Sequence, residues 1–193
     1  VIKPNLSIQM TATPKGGDHH ALVRTRHSEV VEEGMIKKNI IPNEGFEREL
    51  TGEQLETNIK GGTDILFLEK SIEKRKEIHE AFINKGADVN PLLLVQLPDD
   101  KKGQINDLRE RIENYLNDEH DISISNGKLG IYLSEDKEKL QNIEDNNNEV
   151  EVLIFKQAIA LGWDCPRAHV ITFFREWKES AFSKQTIGRI LRM

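Results

Sequence analysis

Apolar positions recur along this chain with two periods, one of about two residues and one near that of a helical turn. In "LSIQM", Leu6, Ile8 and Met10 alternate with polar residues, which predicts a strand that breaks at Pro14, Gly16 and Gly17. Residues 21–42 predict a short helix ending near Gly34 and then a strand. The polar stretch "FERELTGEQLETNIKGG" reads as linker or irregular helix. From a cap at Thr63 or Asp64, "ILFLEKSIEKRKEIHEAFINKG" keeps Leu68, Ile72, Ile78 and Phe82 near helical spacing, and Lys85 with Gly86 supplies a C-terminal stop. "KKGQINDLRERIENYLND" repeats that pattern on Ile105, Leu108, Ile112 and Leu116.

Between and after these helices the pattern shortens. "PLLLVQLP", from Pro91 to Pro98, is an unbroken apolar run between two prolines, as expected of a strand buried on both faces of a parallel sheet. "ISISNGKLGIYLS" alternates on either side of Asn126 and Gly127, which predicts a hairpin, with a loop before a strand at Leu129–Leu133 as the alternative. Then come "EDNNNE", a solvated turn; "VEVLIF", a strand; "KQAIALGWDCP", a loop or short helix; "AHVITFF", a strand; and "SAFSKQTIGRILRM", a helix. Alternating strands and helices argue for an α/β fold with a mainly parallel sheet covered by helices on both faces. In such sheets ligands gather at the carboxyl ends of the strands, where the Gly162 loop and the terminal helix are expected to sit.

Composition narrows the class. A chain of 193 residues, 37% hydrophobic and 31% charged, has the make-up of a soluble domain with a substantial core. No apolar run approaches the ~18 residues of a membrane span, and no signal-peptide pattern is present, so a cytoplasmic protein is expected. The single cysteine, Cys165, fits a reducing compartment. No CxxC or HExxH occurs, the adjacent His19 and His20 lack ligand spacing, and no metal site is assigned. A formal charge of -6 argues against nucleic-acid binding by bulk electrostatics, though not against a motor that touches phosphates at a few points. The chain opens at Val1 without a methionine and is expected to be an excised fragment.

Two segments carry candidate chemistry. "ALGWDCPRA" sets Gly162, Asp164 and Pro166 in a turn after a buried strand, and "QTIGRILR" sets Gln185, Gly188, Arg189 and Arg192 on the terminal helix. Arg189 and Arg192, three apart, share a helix face. Two guanidiniums on one face repel unless an anion lies between them, and a phosphate accepts each bidentately. The bland reading, a solvated helix with surface ion pairs, remains beside this one. Trp163 reads as a core aromatic. Cys165 with His169 has the residue types of a nucleophile and base, but with no oxyanion arrangement or third partner it reads as a small apolar cysteine.

The spacing AxGxDxP at Ala160–Pro166 and QxxGRxxR at Gln185–Arg192 resembles motifs V and VI of superfamily 2 helicases. With "IFKQAIALGWDCPRAHV" and "QTIGRILRM", the chain resembles in particular the restriction (Res) subunit of Type III restriction-modification enzymes. "TATPK" at Thr11–Lys15 is similar to motif III, and "PLLLVQLP" stands where motif IV belongs. The resemblance implies a second RecA-like (P-loop NTPase-type) motor domain over residues 21–193, truncated after motif VI, with residues 1–20 as the end of the first motor domain. It implies ATP, with Mg²⁺, held mainly by that first domain, and Arg189 and Arg192 reaching the phosphates as arginine fingers. Gly162, Asp164, Gln185 and Gly188 would shape the nucleotide site. Lys156, Gln157, Thr11 and Thr13 would contact DNA phosphates or couple hydrolysis to movement. The implied partners are double-stranded DNA, the methyltransferase (Mod) subunit and the first motor domain. No GxxxxGK[ST] occurs and the nuclease residues are not recognisable, so the chain is expected to be part of an ATP-dependent restriction endonuclease and inert alone. The alternatives are another superfamily 2 helicase of DNA repair, or a non-catalytic nucleic-acid or protein interaction module with a helicase-like fold.

Overall fold

The computed structural model describes residues 25–39, 41, 62–98, 104–133, 137–138, 140–156 and 164–174. The expected strand at Leu6–Met10, the linker, residues 157–163 and the terminal helix lie outside the described residues.

Helix α1, His27–Glu32, ends at Glu33 and Gly34, whose positive φ of 68° only glycine adopts freely. Instead of the strand expected after it, residues 35–39 hold a single β-bridge at Ile36. Helix α2, Thr63–Asn84, runs close to the expected span and stops at Gly86 with φ 69°. Its buried stripe is Ile65, Leu68 and Ile72, continued one turn on by Arg75. Strand β1, Leu92–Gln96, is buried at every position, which is why its sequence is an apolar run rather than an alternation. Helix α3, Gln104–His120, comes next, burying Ile112 and Leu116.

"SISNGK" makes a turn and not a hairpin. Asn126 consumes its amide locally: Oδ1 accepts from the N–H groups of Ser123 and Lys128, both at 3.1 Å, and Nδ2 donates to the Asp121 carbonyl at 2.7 Å. Strand β2, Leu129–Tyr132, then pairs antiparallel with the short β3, Lys137–Glu138. Strands β4, Val152–Phe155, and β5, Ala168–Phe173, complete a sheet of order β3-β2-β4-β1-β5. β2, β4, β1 and β5 are all mutually parallel, so the fold is α/β with a mainly parallel sheet, consistent with the RecA-like class.

Alternate residues of the strands serve different faces. Leu93, Val95, Leu129, Ile131, Val152 and Ile154 meet α2 and α3 in one core. Leu92, Leu94, Leu153 and Phe155 meet Ile143, Val150 and Cys165 on the other side, so among the described residues a folded loop and not a helix covers that face. Helices α2 and α3 are also joined through Glu69, whose Oε2 accepts from Tyr115 (2.5 Å) and contacts His120 Nε2 (2.8 Å). Burial works to raise the Glu69 carboxyl, but the Tyr115 and His120 hydrogen bonds outweigh it and leave it below its ordinary value.

Burial sets the scale of what each apolar residue contributes. Ile112→Ala, at 0% exposure, is expected to cost about 2–5 kcal/mol, whereas Ile83→Ala, at 60% exposure, stays within about 0.5 kcal/mol. Urea unfolding of the two variants measures the difference directly.

Candidate functional site

The parallel strands end together at one edge, where open α/β sheets hold ligands. Gln96 at the end of β1 with Leu97, Phe155 at the end of β4 with Lys156, and Phe173 at the end of β5 with Phe174 form it. The Leu97 N–H donates to the Phe155 carbonyl (2.9 Å), and the Phe174 N–H donates to the Gln96 carbonyl (2.9 Å). The Gln96 side chain crosses to the neighbouring strand, its Nε2 donating to the Lys156 carbonyl at 3.0 Å. Lys156, half-buried, is therefore the root of the segment that carries Gln157 and Gly162.

Asp164 does not join it. Expected with the Gly162 loop at the carboxyl edge, Asp164 is exposed at the opposite, amino-terminal edge, because the turn closed by Ala168 N–H to Cys165 C=O (3.0 Å) feeds β5 from that side. Its neighbour there is Lys37, whose Nζ donates to the Ala168 carbonyl at 2.6 Å. Burial pulls the Lys37 ammonium down to about 8, against the opposing fields of Cys165 and Asp164. Burial likewise pushes the Cys165 thiol up to about 11, which keeps it protonated and unreactive at neutral pH. The imidazole of His169 packs edge-on to Phe82 at 5.2 Å, and its Nδ1 lies 2.8 Å from the Arg167 carbonyl, so Nδ1 carries the proton. Burial and then the Lys37 charge lower His169 to about 4. Cys165 thus behaves as the small apolar residue expected, not as a nucleophile with His169 as its base.

Two arginines that no sequence pattern singled out hold this amino-terminal edge. Arg167 is 0% exposed. Its Nε donates to Ile143 C=O (2.7 Å), its Nη1 to the Asn90 (2.7 Å) and Val150 (2.9 Å) carbonyls, and its Nη2 to Asn148 Oδ1 (3.4 Å). Every acceptor is neutral. Burial lowers the guanidinium to about 10, and Arg167 stays charged at neutral pH. Arg75 donates from Nε to Pro91 C=O (2.9 Å), bonds Asn90 Oδ1 through Nη2, and pairs through Nη1 with Glu151 Oε2 (2.9 Å). The only hint of either was an arginine inside an apolar stripe or directly before an apolar strand.

Of the residues singled out by the sequence, Lys156 and Asp164 are described and stand at opposite edges of the sheet. Thr11, Thr13, Gln157, Gly162, Gln185, Gly188, Arg189 and Arg192 lie outside the described residues. Among the described residues no group of three or more His, Cys, Asp or Glu side chains could hold a metal, and no helix is long and apolar enough to cross a membrane. Compared with protein-family models, curated proteins and solved structures, the chain finds no match. What the fold and its edges define is an α/β domain with a polar clamp at the amino-terminal edge and a carboxyl-terminal edge rooted on Gln96 and Lys156.

Two outcomes test this division. Arg167→Met removes the guanidinium donors from the Ile143, Asn90 and Val150 carbonyls and is expected to cost about 3 kcal/mol or more, with Arg167→Lys recovering little because an ammonium cannot span the same acceptors; chemical denaturation of both checks it. For His169, the native state holds a neutral ring between its folded value of about 4 and its unfolded value near 6.5, while the unfolded chain takes up a proton there. Stability therefore falls as pH drops through that window and levels off below it. His169→Phe is expected to flatten that part of the stability curve relative to the unsubstituted chain.

Proposed function

We propose that this chain is the second motor domain of an ATP-dependent DNA translocase of the Type III restriction subunit kind. In this reading it works in the cytoplasm with a first motor domain that holds ATP and Mg²⁺, a methyltransferase (Mod) partner and double-stranded DNA. The observation that supports the reading most is the adjacency of two segments that carry the resemblance. "PLLLVQLP" forms the strand β1 and "VLIF", leading into "KQAIALGWDCP", forms β4; the two are parallel neighbours in register, Gln96 beside Phe155, and release their chains at one edge. A motor domain needs such an edge, because phosphate and DNA contacts made by different segments must act on the same ligand to couple hydrolysis to movement. ATP chemistry would come from the nucleotide and its ion; this chain would contribute cations and ordered backbone around them.

In that role Arg192, with Arg189, stabilises charge developing on the transferred phosphoryl group. Arg192→Ala or Arg189→Ala in the complete subunit is expected to lower kcat for DNA-stimulated ATP hydrolysis by roughly 10²-fold or more, with DNA affinity little changed. Lysine at either position rescues poorly, since it lacks the bidentate fork. ATPase rates at saturating DNA, measured alongside DNA affinity against salt, decide the matter. Near-normal turnover with weakened binding and a shallower salt slope would favour a phosphate-backbone grip and the non-catalytic nucleic-acid module instead.

A further inference from the structure

Asn126 is the only asparagine in the chain that is followed by glycine, and it is exposed on the turn that leads from α3 into β2. That pairing carries chemistry of its own, because a glycine sets no side chain beside its own N–H and its deprotonated nitrogen can reach the asparagine Cγ. A bond forms from the Gly127 nitrogen to Cγ, the Gly127 proton passes to solvent base, and Nδ2 leaves as ammonia with a proton from water. The succinimide so formed takes up water at either of its two carbonyls and opens to aspartate or to isoaspartate, whose backbone runs through the side-chain carbon. Water is the only co-reactant, and the turn is exposed to it.

The fold holds each of the reacting groups. The Gly127 N–H donates to the Ile124 carbonyl at 3.2 Å. The leaving group Nδ2 donates to the Asp121 carbonyl (2.7 Å) and lies 3.3 Å from Asp121 Oδ1, while Oδ1 of Asn126 accepts from the N–H groups of Ser123 and Lys128, both at 3.1 Å. Attack on Cγ needs the Gly127 nitrogen to leave Ile124 and the amide to turn from Asp121, so the turn must open first. The products do not fit what held the reactant. An aspartate here would set a carboxylate oxygen, with no hydrogen to give, against the carbonyl and carboxylate of Asp121, a repulsion that Lys128 Nζ, 3.3 Å from Asp121 Oδ2, screens only in part. An isoaspartate would add an atom to the backbone just before the Lys128 carbonyl, which accepts from the Glu151 and Val152 N–H groups (2.7 and 3.2 Å) where β2 begins to pair with β4.

We infer that Asn126 is a modification site, converted without an enzyme to aspartate and isoaspartate, which the fold restrains and whose conversion unfastens the junction of α3 and β2. Incubating the chain at neutral pH, folded and in guanidinium chloride, and following the amide-to-acid mass gain at each asparagine by peptide mapping tests it. In the unfolded chain Asn126 is expected to convert ahead of every other asparagine. In the folded chain its conversion is expected to be roughly tenfold slower or more, as for a reaction that waits on local opening. Conversion no faster than at the other asparagines in the unfolded chain overturns the site. A folded rate equal to or above the unfolded one overturns the restraint, the Ser123 and Lys128 N–H groups then acting as donors to the oxyanion developing on Oδ1. Asn126→Asp tests the consequence: exchange of the Gly127 and Leu129 amides, which bond the Ile124 and Ser123 carbonyls, is expected to rise about fivefold or more after correction for intrinsic rates, while Leu93–Val95 keep their protection. Unchanged exchange at both amides overturns the unfastening, and the aged, partly converted chain gives the same reading if that variant fails to fold.

Discussion

The structure depends on a buried guanidinium. Arg167 sits fully enclosed where the loop Gln141–Asn148, the start of β1, the start of β4 and the start of β5 converge, and its donors satisfy carbonyls from three of those segments. Enclosing a charge is costly, and here no carboxylate bonds it; Glu144 and Asp145 act only through their field. The arrangement is tenable because the planar fork meets several carbonyl dipoles at once, and because those carbonyls, lying past the ends of the sheet ladder, would otherwise be buried without donors. Arg75 does the same from the helix side. By gripping Asn90, Pro91 and Glu151 it ties α2 to the strand beneath it, with the carboxylate of Glu151 supplying the opposite charge that Arg167 lacks.

That clamp gives the two edges of the sheet different characters. At the amino-terminal edge nearly every polar group is spent on structure. Asn90 bonds Asn146 and Asn148, Arg167 bonds four acceptors, Cys165 donates weakly to Ile143, and His169 is held neutral against Phe82. Perturbed titrations cluster at functional sites often enough to make Lys37, Cys165 and His169 look like one. Their causes argue otherwise: desolvation leads in all three, which suppresses the charged form and, for Cys165, the reactive thiolate.

Much of this framework was legible in the sequence, for reasons specific to each element. The run "PLLLVQLP" can be apolar throughout only if both faces are covered, and β1 is covered on both. Helices α2 and α3 announced themselves by three- and four-residue spacing, and Gly86 by the positive φ it adopts. The turn at Asn126 misled because Asn-Gly signals a tight turn without requiring a strand on each side of it; the Asn126 amide spent its bonds on Asp121, Ser123 and Lys128, and residues 121–128 form no strand to pair with β2. After Gly34, residues 35–39 hold a bridge at Ile36 where a strand was expected, with Met35 left 63% exposed. Arg75 and Arg167 were illegible since a local pattern shows an arginine's charge but not the carbonyls, distant in sequence, that absorb its donors. Asp164 stands at the amino-terminal edge because the turn before β5 brings it beside Lys37, a neighbour distant in sequence that local spacing does not show.

The same geometry constrains that connection. The segment from Lys156 to Arg167 leaves at one edge and returns at the other, and both its ends are fastened to the same strand: Lys156 to the side chain of Gln96, and Arg167 to the carbonyl of Asn90. β1 is five residues of rigid, wholly buried ladder between those two points, so the span that the connection must cover is fixed by the sheet and not by the connection itself. The fastenings also differ in kind. Arg167 is a multiply bonded charge whose release would strand several carbonyls, while Gln96 makes one neutral bond of about 1 kcal/mol.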